Sequence, residues 1–246
     1  MRGLYSAARK VRSVDAIFEK LGRARPTETI IIKEVTLELL MERLAALATT
    51  PCVYLVRHPI ATCLSELRGQ QAGKMSTGRQ SVLRQILQDH RPDLLERFAA
   101  DVGRLSQFEK NLLLWRMDVD RAIDCEREHP CVSFVVYETL CHNLHAEAER
   151  VLSHLGLNMD PQVTSYLSSL LSVAAGSRRM FGVRKNPAAT ADAWTQRVSD
   201  EQRQQAARLL EGHDLVERLI EEGTWQPLQP KSATTLHKQI QVQRHT

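Results

Sequence analysis

Residues 53–65 read VYLVRHPIATCLS, and this stretch decides the fold. It opens within an apolar run, residues 52–56, of the kind found in strands that are covered on both faces. Pro59 is suited to the first turn of a helix, and residues 60–68 contain no helix breaker. The pattern therefore predicts a buried strand that ends at Arg57 and leads directly into a helix.

Comparable elements lie on both sides of this stretch. Two further apolar runs, TIIIK at residues 29–33 and VSFVV at 132–136, also predict buried strands. Helices are predicted at residues 36–47, 81–102 with an interruption at Pro92, 106–128 and 144–155, and a loop at 69–78. Because apolar strands alternate with helices, we predict a parallel sheet flanked by helices in one α/β domain, residues 1–225. Residues 226–246 are polar and are predicted to form a disordered tail.

The composition argues against several other classes of protein. The net charge is only +4, and basic residues are interspersed with acidic ones, whereas nucleic-acid binders usually cluster them. No apolar run approaches the roughly 18 residues that a membrane span needs. The five cysteines show no zinc-ligand spacing, so no metal is expected.

Arg57 and Ser65 are the first candidates for a binding site. In open α/β sheets, ligands collect at the carboxyl ends of the strands, where Arg57 is predicted to lie. A guanidinium group grips a phosphate through two hydrogen bonds, and a hydroxyl group with a helix N-terminus completes the cradle. The alternative is that Arg57 pairs with a carboxylate and that Ser65 is merely solvated.

This pattern resembles the motif by which sulfotransferases hold the 3′-phosphate of 3′-phosphoadenosine 5′-phosphosulfate (PAPS). The form LVRHPIA at residues 55–61 is similar to the carbohydrate-type branch and its bacterial relatives, with His58 where Asp or Asn is usual. The resemblance implies a P-loop-NTPase-like fold, PAPS as co-substrate, and contacts from Arg57 and Ser65 to the 3′-phosphate. His58 itself is expected to cap the helix or to be exposed.

Two later segments extend the resemblance. Residues 134–157, FVVYETLCHNLHAEAERVLSHLGL, are similar to the family's strand–Tyr-Glu-Asp-Leu–helix unit, with Thr139 in place of Asp. A basic run, Arg178, Arg179, Arg184 and Lys185, precedes Trp194, as in the segment that folds over the nucleotide in the family. The resemblance makes Arg184 and Lys185 candidate phosphate ligands; a solvated charged loop is the alternative.

The first predicted strand ends in Lys33, followed by Glu34. The family often places a lysine here, near the transferring sulfuryl group, and a catalytic base close behind it. The resemblance thus implies that Lys33 stabilises charge and that Glu34 removes the proton of the acceptor hydroxyl. An exposed carboxylate is the alternative for Glu34.

No glycine-rich phosphate loop precedes residue 29, so we expect the fold to lack its first β-loop-α unit and the chain to be truncated or degenerate. The function expected from the resemblance is sulfuryl transfer from PAPS to a hydroxyl group of a carbohydrate or small molecule. The alternative is a non-catalytic remnant that binds a nucleotide or a protein partner. A nucleotide phosphotransferase is disfavoured because the sequence has no GxxxxGK[ST] motif. Bacterial-type relatives imply the cytoplasm, and carbohydrate-type relatives the Golgi lumen behind an anchor, so the location stays open.

Overall fold

The computed structural model describes residues 51–98, 102–173 and 186–219. In these ranges the sheet has two strands, β1 (Cys52–Val56) and β2 (Val132–Val136), at the predicted positions. The strands are parallel, with Cys52 opposite Val132 and Val56 opposite Val136. A small parallel sheet among many helices confirms the general α/β class. The predicted strand at residues 29–33 and the predicted tail lie outside the described residues.

Among the described residues, five helices connect the two strands. They are α1 (Pro59–Gln71), α2 (Gly78–Ser81), α3 (Leu83–His90), α4 (Pro92–Phe98) and α5 (Gln107–Glu128). Pro59 occupies the first turn of α1, as predicted. The helix continues to Gln71, so the predicted loop at residues 69–78 begins too early. The turn that follows has Gly73 at φ 65°, a conformation that side chains with a Cβ rarely adopt.

The predicted helix over residues 81–102 is divided into short pieces. Pro92 disfavours the helical conformation at the residue before it, and Arg91 accordingly adopts φ −145° and ψ 66°. The predicted interruption at Pro92 is therefore confirmed. A second interruption, at Val82 between α2 and α3, was not predicted.

Helix α5 is the central helix of the described core. Ser106 and Glu109 form a reciprocal capping box that fixes where it begins. Its Leu112 and Leu113 are fully buried. Helix α5 contacts both α1 and β2, so it supports the sheet from one side.

Within the part of the chain that the structure describes, six helices follow β2. They are α6 (Tyr137–His142), α7 (Leu144–His154), α8 (Pro161–Leu171), α9 (Pro187–Asp192), α10 (Asp200–Leu210) and α11 (Asp214–Leu219). Helix α7 stops before Gly156, at φ 68°, as predicted. A capping box of Ser199 and Gln202 begins α10.

The main hydrophobic cluster of the described residues joins β1 and α1 to α5 and to the C-terminal segment. It brings Val56 of β1 together with Ile60 of α1, Leu112 of α5, Leu209 of α10 and Trp194. The C-terminal helices therefore pack next to the end of β1. Among the described helices, none has the length and apolar character needed to cross a bilayer.

Candidate functional site

The parallel register places two sequence motifs at the same edge of the sheet. Val56 and Val136 are opposite each other and are the last residues of β1 and β2. Arg57 and Tyr137 therefore leave the sheet at the same level, at its carboxyl edge. This is the edge at which ligands bind in open α/β sheets.

Arg57 is held on three sides. The Cζ atom of its guanidinium group lies 5.0 Å from the centre of the Tyr137 ring. Its Nε atom lies 3.9 Å from Oε1 of Glu138, and the indole Nε1 of Trp115 donates a hydrogen bond of 3.1 Å to its carbonyl oxygen. Nevertheless, 28% of the side chain is exposed, and Nε has no acceptor at hydrogen-bonding distance among the described residues. The predicted position of Arg57 at the strand end is confirmed, and the carboxylate of the alternative interpretation is also present beside it.

Glu138 is the buried acidic group of this site. Its side chain is only 4% exposed, and both of its oxygens accept the backbone N–H of His58, at 3.2 Å each. Burial raises the pKa of the Glu138 carboxyl, and the His58 N–H and the charge of Arg57 oppose that rise only in part. Arg57 lies at ion-pair distance from this carboxylate and forms no hydrogen bond with it in the described residues.

His58 differs from its sequence-based expectation. Its position is that of the residue preceding α1, but its side chain forms no capping hydrogen bond, and it is buried. The imidazole stacks on the indole of Trp194, with 4.1 Å between ring centres and 23° between planes. The indole of Trp194 covers the imidazole, and for this reason His58 is not exposed. This stack attaches the C-terminal segment to the end of β1.

Arg68 and Arg197 add positive charge to the same region. Arg197 lies one short turn after Trp194, to which its backbone N–H is hydrogen-bonded. Partial burial lowers the pKa of Arg197, and the charges of Arg68 and Arg57 lower it further. The charges of Arg57 and Arg68 thus act on Arg197, and an anion bound in this region would offset them.

Ser65 lies on the second turn of α1. It is exposed, and it is one helical turn from Thr62 on one side and from Arg68 on the other. The Thr62 hydroxyl donates a hydrogen bond of 3.2 Å to the carbonyl oxygen of His58. This face of α1 therefore begins next to the end of β1. In the described residues no hydrogen bond joins Ser65 to Arg57. Their convergence on one anion stays a prediction.

The remaining candidates of the sequence analysis cannot be placed. Lys33, Glu34, Arg184 and Lys185 lie outside the described residues, as do Arg178 and Arg179. Within the described residues, the site therefore consists of the ends of β1 and β2, Ser65 and Arg68 of α1, and Trp194 with Arg197.

Four features of the site were not predicted: the identity of Glu138 as the carboxylate beside Arg57, the His58–Trp194 stack, and the charges of Arg68 and Arg197. Arg68 was the most accessible to prediction, because it lies one turn after Ser65 on the same helix face. The other three join distant segments and have no local signature in the sequence.

A second polar cluster supports the site from behind. His213 is fully buried, with Nε2 2.9 Å from Oδ1 of Asp120, and Asp120 also binds Arg91. Although burial opposes it, these contacts hold the pKa of the Asp120 carboxyl below its ordinary value. Trp115 lies with its ring centre 5.4 Å from that of His213 and donates to Arg57. The cluster thus fixes the indole that positions the Arg57 backbone.

Comparison with known proteins gave no matching family model, no matching curated protein and no matching solved structure.

Proposed function

We propose that this chain binds the 3′-phosphate of PAPS at the carboxyl edge of its sheet and acts as a sulfotransferase of P-loop-NTPase-like fold. The observation that carries the proposal is the environment of Arg57: a part-exposed guanidinium group at a strand end whose Nε has no acceptor in the described residues. Arg68 and Arg197 supply further charge for a doubly charged group. Arginine is favoured for such phosphate recognition because of its planar, forked geometry.

The arrangement of the three motifs supports the same proposal. The Arg57 segment, the Tyr137–Glu138 segment and the Trp194 segment are far apart in the sequence, and each was singled out for its resemblance to sulfotransferases. In the fold they contact one another at Arg57, Glu138 and the His58–Trp194 stack. If the three resemblances were unrelated, the residues that carry them would not be expected to lie in contact at one edge of the sheet.

The proposed reaction is an in-line displacement at sulfur. The oxygen of an acceptor hydroxyl forms a bond to the sulfur of PAPS, and the bond from sulfur to the bridging phosphate oxygen breaks. The products are a sulfate ester and 3′,5′-ADP, and the hydroxyl proton passes to a base. Glu34 is proposed as this base and Lys33 as the cation beside the leaving oxygen, with Arg184 and Lys185 as further phosphate ligands. A carbohydrate or small-molecule hydroxyl is the proposed acceptor.

The binding step is tested by thermal unfolding in the presence of 3′,5′-ADP or ATP. A ligand that binds only the folded state raises the melting temperature with its concentration, so 3′,5′-ADP is expected to stabilise the protein more than ATP does. Ser65→Ala is expected to weaken 3′,5′-ADP binding about 5-fold, because one hydrogen bond contributes about 1 kcal/mol. Ser81→Ala is the matched control, because Ser81 is an exposed helical serine of α2.

The outcomes separate the candidate functions. Stabilisation by ATP in preference to 3′,5′-ADP would contradict the proposal and favour a phosphotransferase. Acceptor-dependent release of 3′,5′-ADP from PAPS is expected of a sulfotransferase. Binding of 3′,5′-ADP without any such release would favour the non-catalytic alternative.

A further inference from the structure

Two cysteine residues lie side by side at the amino edge of the sheet, opposite the edge of the proposed anion site. Cys52 is the first residue of β1, and Cys131 directly precedes β2. The backbone N–H of Cys52 donates a hydrogen bond of 2.8 Å to the carbonyl oxygen of Cys131. Neighbouring strands lie about 4.8 Å apart, and disulfide bonds join cysteines whose Cα atoms are about 4.4–6.8 Å apart. The backbone thus holds the two residues at a separation that suits a disulfide bond.

The two side chains also pack against the same small cluster. Cys52 is opposite Val132 in the parallel register, so these two side chains lie on one face of the sheet. Cys131 belongs to a turn that is closed by a hydrogen bond of 2.9 Å from the N–H of Val132 to the carbonyl oxygen of His129. The alternation of a strand therefore does not force its side chain to the other face. Both cysteines pack against Val132 and the buried Cys125.

His154 of α7 fixes the two backbones relative to each other. Its Nε2 lies 3.1 Å from the carbonyl oxygen of Cys52 and 3.0 Å from that of Cys131, so one N–H is shared between the two acceptors. Because the two residues are already held together, a disulfide bond between them requires little rearrangement of the backbone.

We propose that Cys52 and Cys131, which are thiols in this structure, form a reversible disulfide bond that joins the amino ends of β1 and β2. Both residues are partly exposed, so a small oxidant reaches them, whereas Cys125 is only 2% exposed. The inference is independent of the proposed function, because the pair is at the other edge of the sheet.

The co-reactant is a low-molecular-weight disulfide such as oxidised glutathione. The thiolate of one cysteine attacks a glutathione sulfur, forms a mixed disulfide and releases one glutathione thiolate. The thiolate of the other cysteine then attacks the protein sulfur of the mixed disulfide and releases the second glutathione thiolate. The two protein thiols are thereby oxidised, their protons pass to the released thiolates, and one oxidised glutathione is reduced to two thiols.

The surroundings of Cys52 set the pH dependence of this reaction. Its titratable neighbours are Cys131, Cys125 of α5 and His154 of α7. Burial raises the pKa of the Cys52 thiol, and the charge of Cys131 raises it further. Only the thiolate attacks, so the bond is expected to form slowly at neutral pH and about tenfold faster for each unit by which the pH rises below that pKa.

The test begins with reduced protein, which is incubated with excess oxidised glutathione at about pH 8.5, where more of the thiols are ionised. Remaining thiols are blocked with N-ethylmaleimide, and the digested protein is analysed by mass spectrometry. We expect peptides joined through Cys52 and Cys131 in the wild type and in Cys125→Ala, and none in Cys131→Ser. The bond closes a loop of about 80 residues. The oxidised wild type is therefore expected to melt about 5–10 °C above the reduced protein, and Cys131→Ser should show no such rise.

Absence of the joined peptides in the wild type, or a bond from Cys131 to Cys125 in their place, would overturn the inference. An equal rise of the melting temperature in Cys131→Ser would overturn it as well. Should Cys131→Ser fail to fold, Cys52→Ser replaces it, and the joined peptides of the wild type decide. Binding of 3′,5′-ADP is measured separately on the reduced protein, so either proposal can fail without the other.

Discussion

Replacing Arg57 with alanine is expected to abolish the stabilisation of the protein by 3′,5′-ADP. Arg57 is a part-exposed cation at the end of β1, and in the described residues its guanidinium group forms no hydrogen bond with the neighbouring Glu138 carboxylate. Charge-assisted hydrogen bonds to an anion contribute about 1.5–3 kcal/mol each, so the loss of two is expected to weaken binding at least 100-fold. The measurement is the melting temperature as a function of 3′,5′-ADP concentration.

Two variants serve as controls for this experiment. Arg57→Lys keeps the charge but loses the forked geometry, so it is expected to recover only part of the affinity. Arg127→Ala removes an exposed arginine near the C-terminal end of α5, where the chain turns towards the first residue of β2. That position is at the opposite edge of the sheet, so 3′,5′-ADP should bind this variant like the wild type. An equal loss of affinity for 3′,5′-ADP in Arg57→Ala and Arg127→Ala would indicate a general effect of charge and contradict a specific site at Arg57.

Replacing Trp194 with alanine is expected to cause the largest loss of stability, about 3–5 kcal/mol, as is usual when a buried aromatic side chain is truncated. The indole is only 2% exposed, belongs to the main hydrophobic cluster and stacks on His58. Its removal takes away one of the contacts between the C-terminal segment and the end of β1. Chemical denaturation gives the free energy of unfolding directly.

The matched variants distinguish packing from other effects of this residue. Trp194→Phe keeps an aromatic ring against His58 and is expected to lose less stability than the alanine variant. Trp225→Ala changes the tryptophan nearest in sequence, which lies outside the described residues, and is measured for comparison. A loss below about 1 kcal/mol in Trp194→Ala would show that the stack does not hold the segment in place.

The local elements could be predicted because their signals are local. Short, mainly apolar runs indicated β1 and β2, Pro59 indicated the beginning of α1, and Gly156 indicated the end of α7. The interruption at Val82 escaped prediction, since valine has no strong preference against the helix that would reveal it.

The site was predictable only in part, for a physical reason. The strand-end position of Arg57 follows from the apolar run before it, and the parallel register then brings Tyr137 to the same level. The contact of Glu138 with the His58 backbone joins residues 80 positions apart, and no periodicity encodes such a pair. The burial of His58 depends likewise on Trp194, a residue on a distant helix connection. Contacts of this kind arise from tertiary packing alone.

The central claim, that the end of β1 holds a doubly charged phosphate, is tested most directly by NMR of the side-chain Nε–H groups of arginine and tryptophan. The account predicts that titration with 3′,5′-ADP shifts the Nε–H resonance of Arg57 and the indole resonance of Trp194 at low ligand concentration. The Nε–H of Arg116, which lies in the polar cluster around Asp120 and His213, should move little. Shifts confined to Arg116, or no shift at Arg57 when the ligand is bound, would contradict the account.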